Sequence, residues 1–261
     1  MRRWAKGTWI TPTVVIGQAV GLGFDPEWIR AQLGRWTHGA CSGGPLTQQR
    51  RIGTRNGMVE RLARARLTLR EDDIRKAILK RFAENGRAPS VSEVAQALDL
   101  PAEGVLTGLR TLAAHDLLIW AEDETRIVSA YPFSGVPTAH QVFIDGDRPL
   151  YAMCAIDALG IPFLLGRGAR IRSACFFCGT PVIVEVHEGA LTRADLPSAV
   201  VWLSEREGCC VAEARCPLIN FFCHASHLEA WLAASPDERG RGLSMLEALE
   251  VGKATFGELL R

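Results

Sequence analysis

The spacing of apolar positions changes character twice along the chain. Over residues 59–131 it is helical. Ile74, Ile78, Leu79 and Phe82 form one stripe, with Asp72 and Asp73 near its start and Gly86 beyond its end. Ser90 and Glu93 form a capping box that opens a second helix. Pro101 opens a third, with Val105, Leu106, Leu109 and Leu112 facing inward. Two β-prone runs follow, Leu117–Trp120 and Arg126–Ala130, separated by the acidic Ala121–Thr125. Three helices and a hairpin in that order predict a winged-helix-like unit.

Beyond residue 132 the period is mostly that of strands. Gln141–Ile144 reads as an edge strand. Ala169–Ala174 and Pro181–Val186 read as a hairpin whose turn is Cys175-Phe-Phe-Cys178-Gly179. Ser198–Leu203 is a further strand, and Cys216–Phe222 a short β-prone segment. Ser226 with Glu229, and Ser244 with Glu247, read as capping boxes of two helices. The first carries Leu228, Trp231 and Leu232 inward, and the second Leu246, Leu249 and Phe256. Strands bracketed by helices predict an α+β class, with a mixed or antiparallel sheet flanked by helices. Residues 1–58 are rich in Gly and Pro, yet contain Trp4, Trp9, Trp28 and Trp36. A short helix is predicted over Phe24–Leu33, and no motif is found there. The expected organisation is a basic extension (1–58), a winged-helix-like domain (59–131) and a larger α+β domain (132–261).

One stretch breaks the pattern. Arg148–Gly160 reads as a helix capped by Asp147, opened by Pro149 and stopped by Gly160 and Pro162. It is apolar nearly all round, which predicts burial. Leu150, Met153, Cys154 and Asp157 share one face. Asp157 is the lone charge between Arg148 and Arg167. A carboxylate there is expensive to ionise, so its pKa should rise. A thiol beside a proton donor suggests chemistry. The structural alternative, a core cysteine and a capping aspartate, carries more weight on this stretch alone.

Composition narrows the class. The 261 residues are 48% hydrophobic and 23% charged, ordinary for a globular chain with real cores. The net charge of +1 conceals an asymmetry: Met1–Arg70 carries a net +9 and the remainder −8. A basic lead-in can touch nucleic acid. The third helix of the winged-helix-like unit, however, offers Arg110 alone to phosphates, and the wing turn is acidic where a phosphate-facing wing should be basic. A structural role for the unit, without DNA binding, is expected. No apolar run is long enough to span a membrane. The start lacks a clear leader pattern, since its apolar part is short and interrupted by Gln18. A cytoplasmic setting is expected, in which eight cysteines serve as ligands, nucleophiles or core residues rather than disulfides.

Those cysteines fall into three groups of interest. Cys175-x-x-Cys178-Gly has the form of half a zinc site, but needs a second pair of ligands. The compact pair left is Cys209-Cys210, adjacent and therefore poor, so no zinc is expected. Cys223-His224 with His227 reads as local packing and capping. Cys41 is isolated. The third group pairs Cys154 and Asp157 with the distant Cys216.

Tyr151-Ala-Met-Cys-Ala-Ile-Asp-Ala-Leu159 resembles the central motif of the organomercurial (alkylmercury) lyases. The similarity continues over Ile161–Arg167, Ile171–Cys175, Gly179–Val182, Cys216, Asn220–Phe222 and Gly242-Leu243, and spans roughly residues 71–261. The resemblance implies that the protein breaks carbon–mercury bonds, releasing a hydrocarbon and Hg(II). Cys154 and Cys216 would bind mercury, Asp157 would handle the proton, and Cys175 would be structural. Two positions depart from the family pattern: Cys178 replaces a hydroxyl residue, and Pro217-Leu218 replace more polar residues. The chemistry suits the residues. Mercury(II) is soft and thiolate its preferred ligand, and a carboxyl one turn from Cys154 can move a proton to the departing carbon. No organic cofactor is implied. The expected partners are an organomercurial substrate and a thiol or a mercuric-reductase-type acceptor for the released ion. The competing readings are a cysteine-based, metal-sensing winged-helix regulator and a relative that binds thiophilic metals without cleavage.

Overall fold

Of the seven α-helices among the described residues, four begin at a side chain that accepts from a backbone N–H the helix start leaves unpaired. This computed structural model describes residues 3–4, 8–9, 13–16, 19–22 and 57–260, less 122–125, 145, 207–210 and 212–214. The helix expected over Phe24–Leu33, the acidic turn residues 122–125, and Cys41, Cys209 and Cys210 lie outside these described residues. Residues Met1–Gln49 and Arg50–Arg261 form two separate compact units. In the first, β1 (Arg3–Trp4) pairs with β2 (Thr8–Trp9), and β3 (Thr13–Ile16) with β4 (Ala19–Leu22), both antiparallel.

The second unit opens with α1 (Gly57–Ala65). In α2 (Leu69–Asn85), the Thr68 side chain accepts from the Glu71 N–H while Glu71 reaches back to the Thr68 N–H. Gly86, at φ 65°, closes the helix. In α3 (Val91–Leu98), Ser90 and Glu93 form the predicted box. Next comes α4 (Ala102–Ala114), which begins directly after Pro101. Ile74, Ile78, Leu79, Phe82, Val94, Val105, Leu109 and Leu112 are all buried between these helices. A hairpin follows, β5 (Leu118–Trp120) with β6 (Ile127–Ala130).

That hairpin is the end of a larger sheet. Its other members are β7 (Phe133–Ser134), β8 (Gln141–Phe143), β9 (Leu150–Ala152), β10 (Ala169–Ala174), β11 (Pro181–His187) and β12 (Ala190–Ala194). The order is β12-β11-β10-β8-β9-β7-β6-β5, and every neighbouring pair is antiparallel. Alternation sends Ile171, Val182, Val184 and Val186 into the core. β8 is interior rather than the edge strand expected, because residues 150–152, assigned to a helix from the sequence, pair along its free side.

A second sheet has the order β14 (Phe221–Phe222), β13 (Val200–Ser204), β15 (Gly240–Ser244). Cys216–Leu218, expected to be extended, is a single 3-10 turn. In α6 (Ala225–Ala233) the cap position is His224, so Ser226 lies inside the first turn and the box expected at Ser226 is not formed. The chain turns straight from β14 into this helix and leaves no room for a later start. The last helix, α7 (Met245–Phe256), has the predicted Ser244–Glu247 box. Leu246 points outward, 62% exposed, while Leu249 and Phe256 are buried.

The buried helix α5 spans Ala155–Leu165. It starts six residues beyond the first strong signal, Pro149, and it runs through both Gly160 and Pro162. Strand pairing claims residues 150–152, and Cys154 is the actual cap. Gly160 is required by packing rather than by a stop. A Cβ there would lie 2.2 Å from the Phe256 ring of α7, and one at Gly252 would lie 2.9 Å from the Gly160 nitrogen. The two glycines let α5 and α7 touch backbone to backbone. The helix ends at Gly166, whose φ of 62° is left-handed.

Candidate active site

The start of α5 does two things at once. Cys154 caps it, its Sγ accepting from the Asp157 N–H at 3.5 Å. The Ala155 N–H instead reaches across and donates to the Ile219 carbonyl at 3.0 Å. That bond ties the Cys216 turn to the helix start. Pro217 suits the second position of the 3-10 turn, where it has no N–H to leave unpaired. Asn220 locks the turn by donating to the Pro217 carbonyl at 2.7 Å. The Asn220 carbonyl in turn accepts from the Trp202 N–H in β13.

These ties bring together the three residues that the sequence separates by up to 62 positions. Cys154 Sγ, Cys216 Sγ and an Asp157 carboxylate oxygen all lie within 4.8 Å of one another, and all three residues are buried. The Cys216 thiol points at Asp157 Oδ2, 4.0 Å away. Both thiols are free. They face a cleft with about 100 Å³ of free space, walled by Ile156, Leu203, Ile219, Val251 and Phe256.

Burial governs the ionisation of the trio. It lifts the Asp157 carboxyl to about 7, against hydrogen bonding to Cys154 and the charge of Arg61, which favour the anion. Burial raises the Cys154 thiol well above the ordinary cysteine range, and a hydrogen bond with Cys216 and the charge of Asp157 push the same way. For Cys216 the hydrogen bond with Cys154 favours the thiolate, but burial and Asp157 outweigh it, so its pKa also rises. Near neutral pH both thiols therefore keep their protons until something soft and positive displaces them, while the Asp157 carboxyl stands between its two forms and can take up a proton or give one.

Sequence reasoning missed one wall of this cleft. Met58 and Arg61 of α1 line it, together with Tyr131. Arg61 pairs with Asp116 at 2.8 Å and lies over the Tyr131 ring, 4.6 Å from its centroid. Asp116 also accepts from the Val211 N–H, on the segment that leads to Cys216. The readable signal was Met58, Leu62 and Ala65, a helical stripe at i, i+4 and i+7 lying across the boundary drawn at residue 58.

The turn cysteines have companions other than those expected. Cys175 and Cys178 lie with Cys223 and His227, their ligand atoms within 4.8 Å of one another. The second pair is therefore the one first read as local packing.

A protein-family model described as alkylmercury lyase matches residues 133–257. The alkylmercury lyase of Staphylococcus epidermidis is 32% identical over 179 residues, covering 68% of this chain and 79% of that one. That of Streptomyces lividans is 30% identical over 183 residues, covering 70% and 81%. A solved structure described as the mercury-bound form of MerB2 superposes with a TM-score of 0.66 at 26% identity, covering 77% of this chain and 96% of that one. With two buried thiols and a proton-holding carboxyl in one cleft, and with relatives of this similarity and coverage, the chain belongs to the alkylmercury lyase family.

Proposed function

We propose that this protein cleaves carbon–mercury bonds by protonolysis, with Cys154, Cys216 and Asp157 carrying the reaction. The observation that carries the reading is the buried trio itself, two free thiols and a carboxyl lifted to about 7, facing one cleft. One thiol gives its proton to solvent and binds R–Hg⁺ as thiolate. The other passes its proton to Asp157 and adds to the metal. Sulfur donation from two thiolates weakens the Hg–C bond. The Asp157 carboxyl then protonates the carbon, the Hg–C electron pair becomes the new C–H bond, and RH leaves. Mercury(II) remains between Cys154 and Cys216, and Asp157 is again a carboxylate. Incoming thiols, free or on a reductase-type acceptor, displace the ion and return protons to both cysteines. No oxidation state changes and no organic cofactor takes part.

The helices α2–α4 serve this reading as structure. Arg110, the cation of α4, pairs with Glu103 at 3.8 Å rather than standing ready for phosphate. Among the described residues, no helix is long and apolar enough to cross a membrane. A cytoplasmic detoxifying role suits a reaction that needs reduced thiols throughout.

The test is a single-turnover assay with an organomercurial and excess free thiol, following hydrocarbon release and mercury retention separately. Cys154→Ser and Cys216→Ser should each abolish cleavage while keeping the fold, because serine is nearly isosteric but a hard, weak mercury ligand. Near-normal turnover in either variant would sink the assignment.

A further inference from the structure

The β10–β11 turn and the junction of β14 with α6 hold a second group of soft ligands. None of the four lines the cleft of Cys154. We propose that Cys175, Cys178, Cys223 and His227 hold one zinc ion in a closed Cys3His site.

The spacing is that of a coordination shell. Cys178 Sγ is 3.8 Å from Cys223 Sγ, and His227 Nδ1 is 3.7 Å from Cys175 Sγ and 3.0 Å from Cys223 Sγ. Zinc binds sulfur at about 2.3 Å and imidazole nitrogen at about 2.0–2.1 Å, so tetrahedral neighbours stand roughly 3.5–3.8 Å apart. The first two distances meet this, and the Cys223–His227 pair, at 3.0 Å, has to open slightly to admit the ion. A disulfide would need about 2.05 Å, and all three cysteines are free.

The backbone fixes both ligand pairs before any metal arrives. In the turn, the Cys175 N–H donates to the Thr180 carbonyl and the Gly179 N–H to the Cys175 carbonyl, both at 2.8 Å. Gly179 sits at φ 75°, where a side chain would be strained. This folds Cys175 and Cys178 toward one point. The second pair has the spacing Cys-x-x-x-His. Cys223 follows β14 and His227 lies in the first turn of α6, where the helix N-terminus favours thiolate charge. The Phe176 N–H donates to the Phe221 carbonyl at 2.8 Å and fastens the two halves together.

The surroundings suit a permanent ion. Cys175 and Cys223 are buried beside Trp202, Phe222 and Leu228, a small apolar cluster separate from the main core. The Phe177 ring lies 4.9 Å from that of His227. Four protein donors leave no open position, the mark of a structural rather than a catalytic site. Three thiolates and an imidazole in a tetrahedron select zinc over harder divalent ions.

The test uses the full chain and no organomercurial, so it stands apart from the lyase reading. After dialysis into metal-free buffer, elemental analysis should find one zinc per chain. Cys178→Ser and His227→Ala should each bring zinc well under one per chain. Cys154→Ser, Cys216→Ser and the double variant Cys209→Ser/Cys210→Ser should keep it. Should a variant fail to fold, the parent protein still decides the matter. Mass spectrometry after thiol alkylation should show Cys178 and Cys223 protected, and a strong chelator should expose both. Added Co(II) should then give the intense thiolate-to-cobalt absorption of a tetrahedral site. Well under one zinc per chain with no uptake of zinc or cobalt overturns the proposal. So does zinc that persists in Cys178→Ser, or iron in its place.

Discussion

Replacing Asp157 by Asn tests the electrostatics of the site through folding stability alone. Burial lifts the carboxyl from 3.8 to about 7. The folded protein therefore keeps this proton longer than the unfolded chain does. Stability is full below the unfolded value, declines as pH rises toward 7, and levels off above it. Each pKa unit corresponds to about 1.4 kcal/mol. Between about pH 5 and pH 8 the parent should lose on the order of 3 kcal/mol through this group. Asn has the same shape and does not ionise, so the variant escapes that loss. His140 works the other way: burial depresses it to about 4, so its contribution is present above 6.5 and lost as pH falls toward 4. It is shared by both proteins and cancels in the comparison. The assay is urea unfolding at several pH values. The stability of Asp157→Asn relative to the parent should rise by on the order of 3 kcal/mol from pH 5 to 8, a relative midpoint change of roughly 1 M. Parallel curves across that range would refute the burial account and, with it, the proton held near neutral pH.

The same substitution should bind an organomercurial and then stall, with hydrocarbon release slowed on the order of 10²–10⁴. A parent-like rate would place the proton donor elsewhere. Arg61→Met removes a charge that favours ionised Asp157, so the carboxyl should titrate above 7, read as an upward shift of the pH midpoint in the stability comparison. An unchanged midpoint would mean that Arg61 does not act on the site. Gly160→Ala should lower stability by about 1–3 kcal/mol through overpacking against Phe256, and a parent-like melting temperature would contradict that contact. Random duplex DNA at near-physiological salt should bind weakly or not at all, whereas sequence-specific retardation of the full chain would favour a regulator.

Local chemistry made much of the fold readable. Ser90 with Glu93 and Ser244 with Glu247 mark helix starts because hydroxyl and carboxylate each satisfy a backbone N–H three residues away. The hairpin around Cys175–Gly179 announced itself by β-prone flanks and a turn glycine. The α5 boundaries were misplaced because their determinants are not local. Pro149 is a sound start signal, but residues 150–152 are claimed by β7 and β8. The cap that replaces it is a cysteine, outside the usual set of Ser, Thr, Asp and Asn. Gly160 reads as a stop until α7, some 90 residues later, explains it as a contact. Cys154 and Asp157 were legible from their spacing, and Cys216 through family resemblance. The company kept by Cys175 and Cys178 was not, because β14 and α6 deliver Cys223 and His227 from 45 residues beyond Cys178.

Helix α1 bears on how this protein could be trimmed or transplanted. The stretch matched by the family model begins at residue 133. A module excised at that point would carry Cys154, Asp157 and Cys216, but not Met58, Arg61 or Tyr131. Its cleft would open to water on one side, and Asp157 would lose both its shelter and a nearby positive charge. The Asp116 carboxylate, which holds Arg61 and the Val211 amide together, would go with them. For this chain, an engineered unit meant to degrade organomercurials should begin ahead of Gly57.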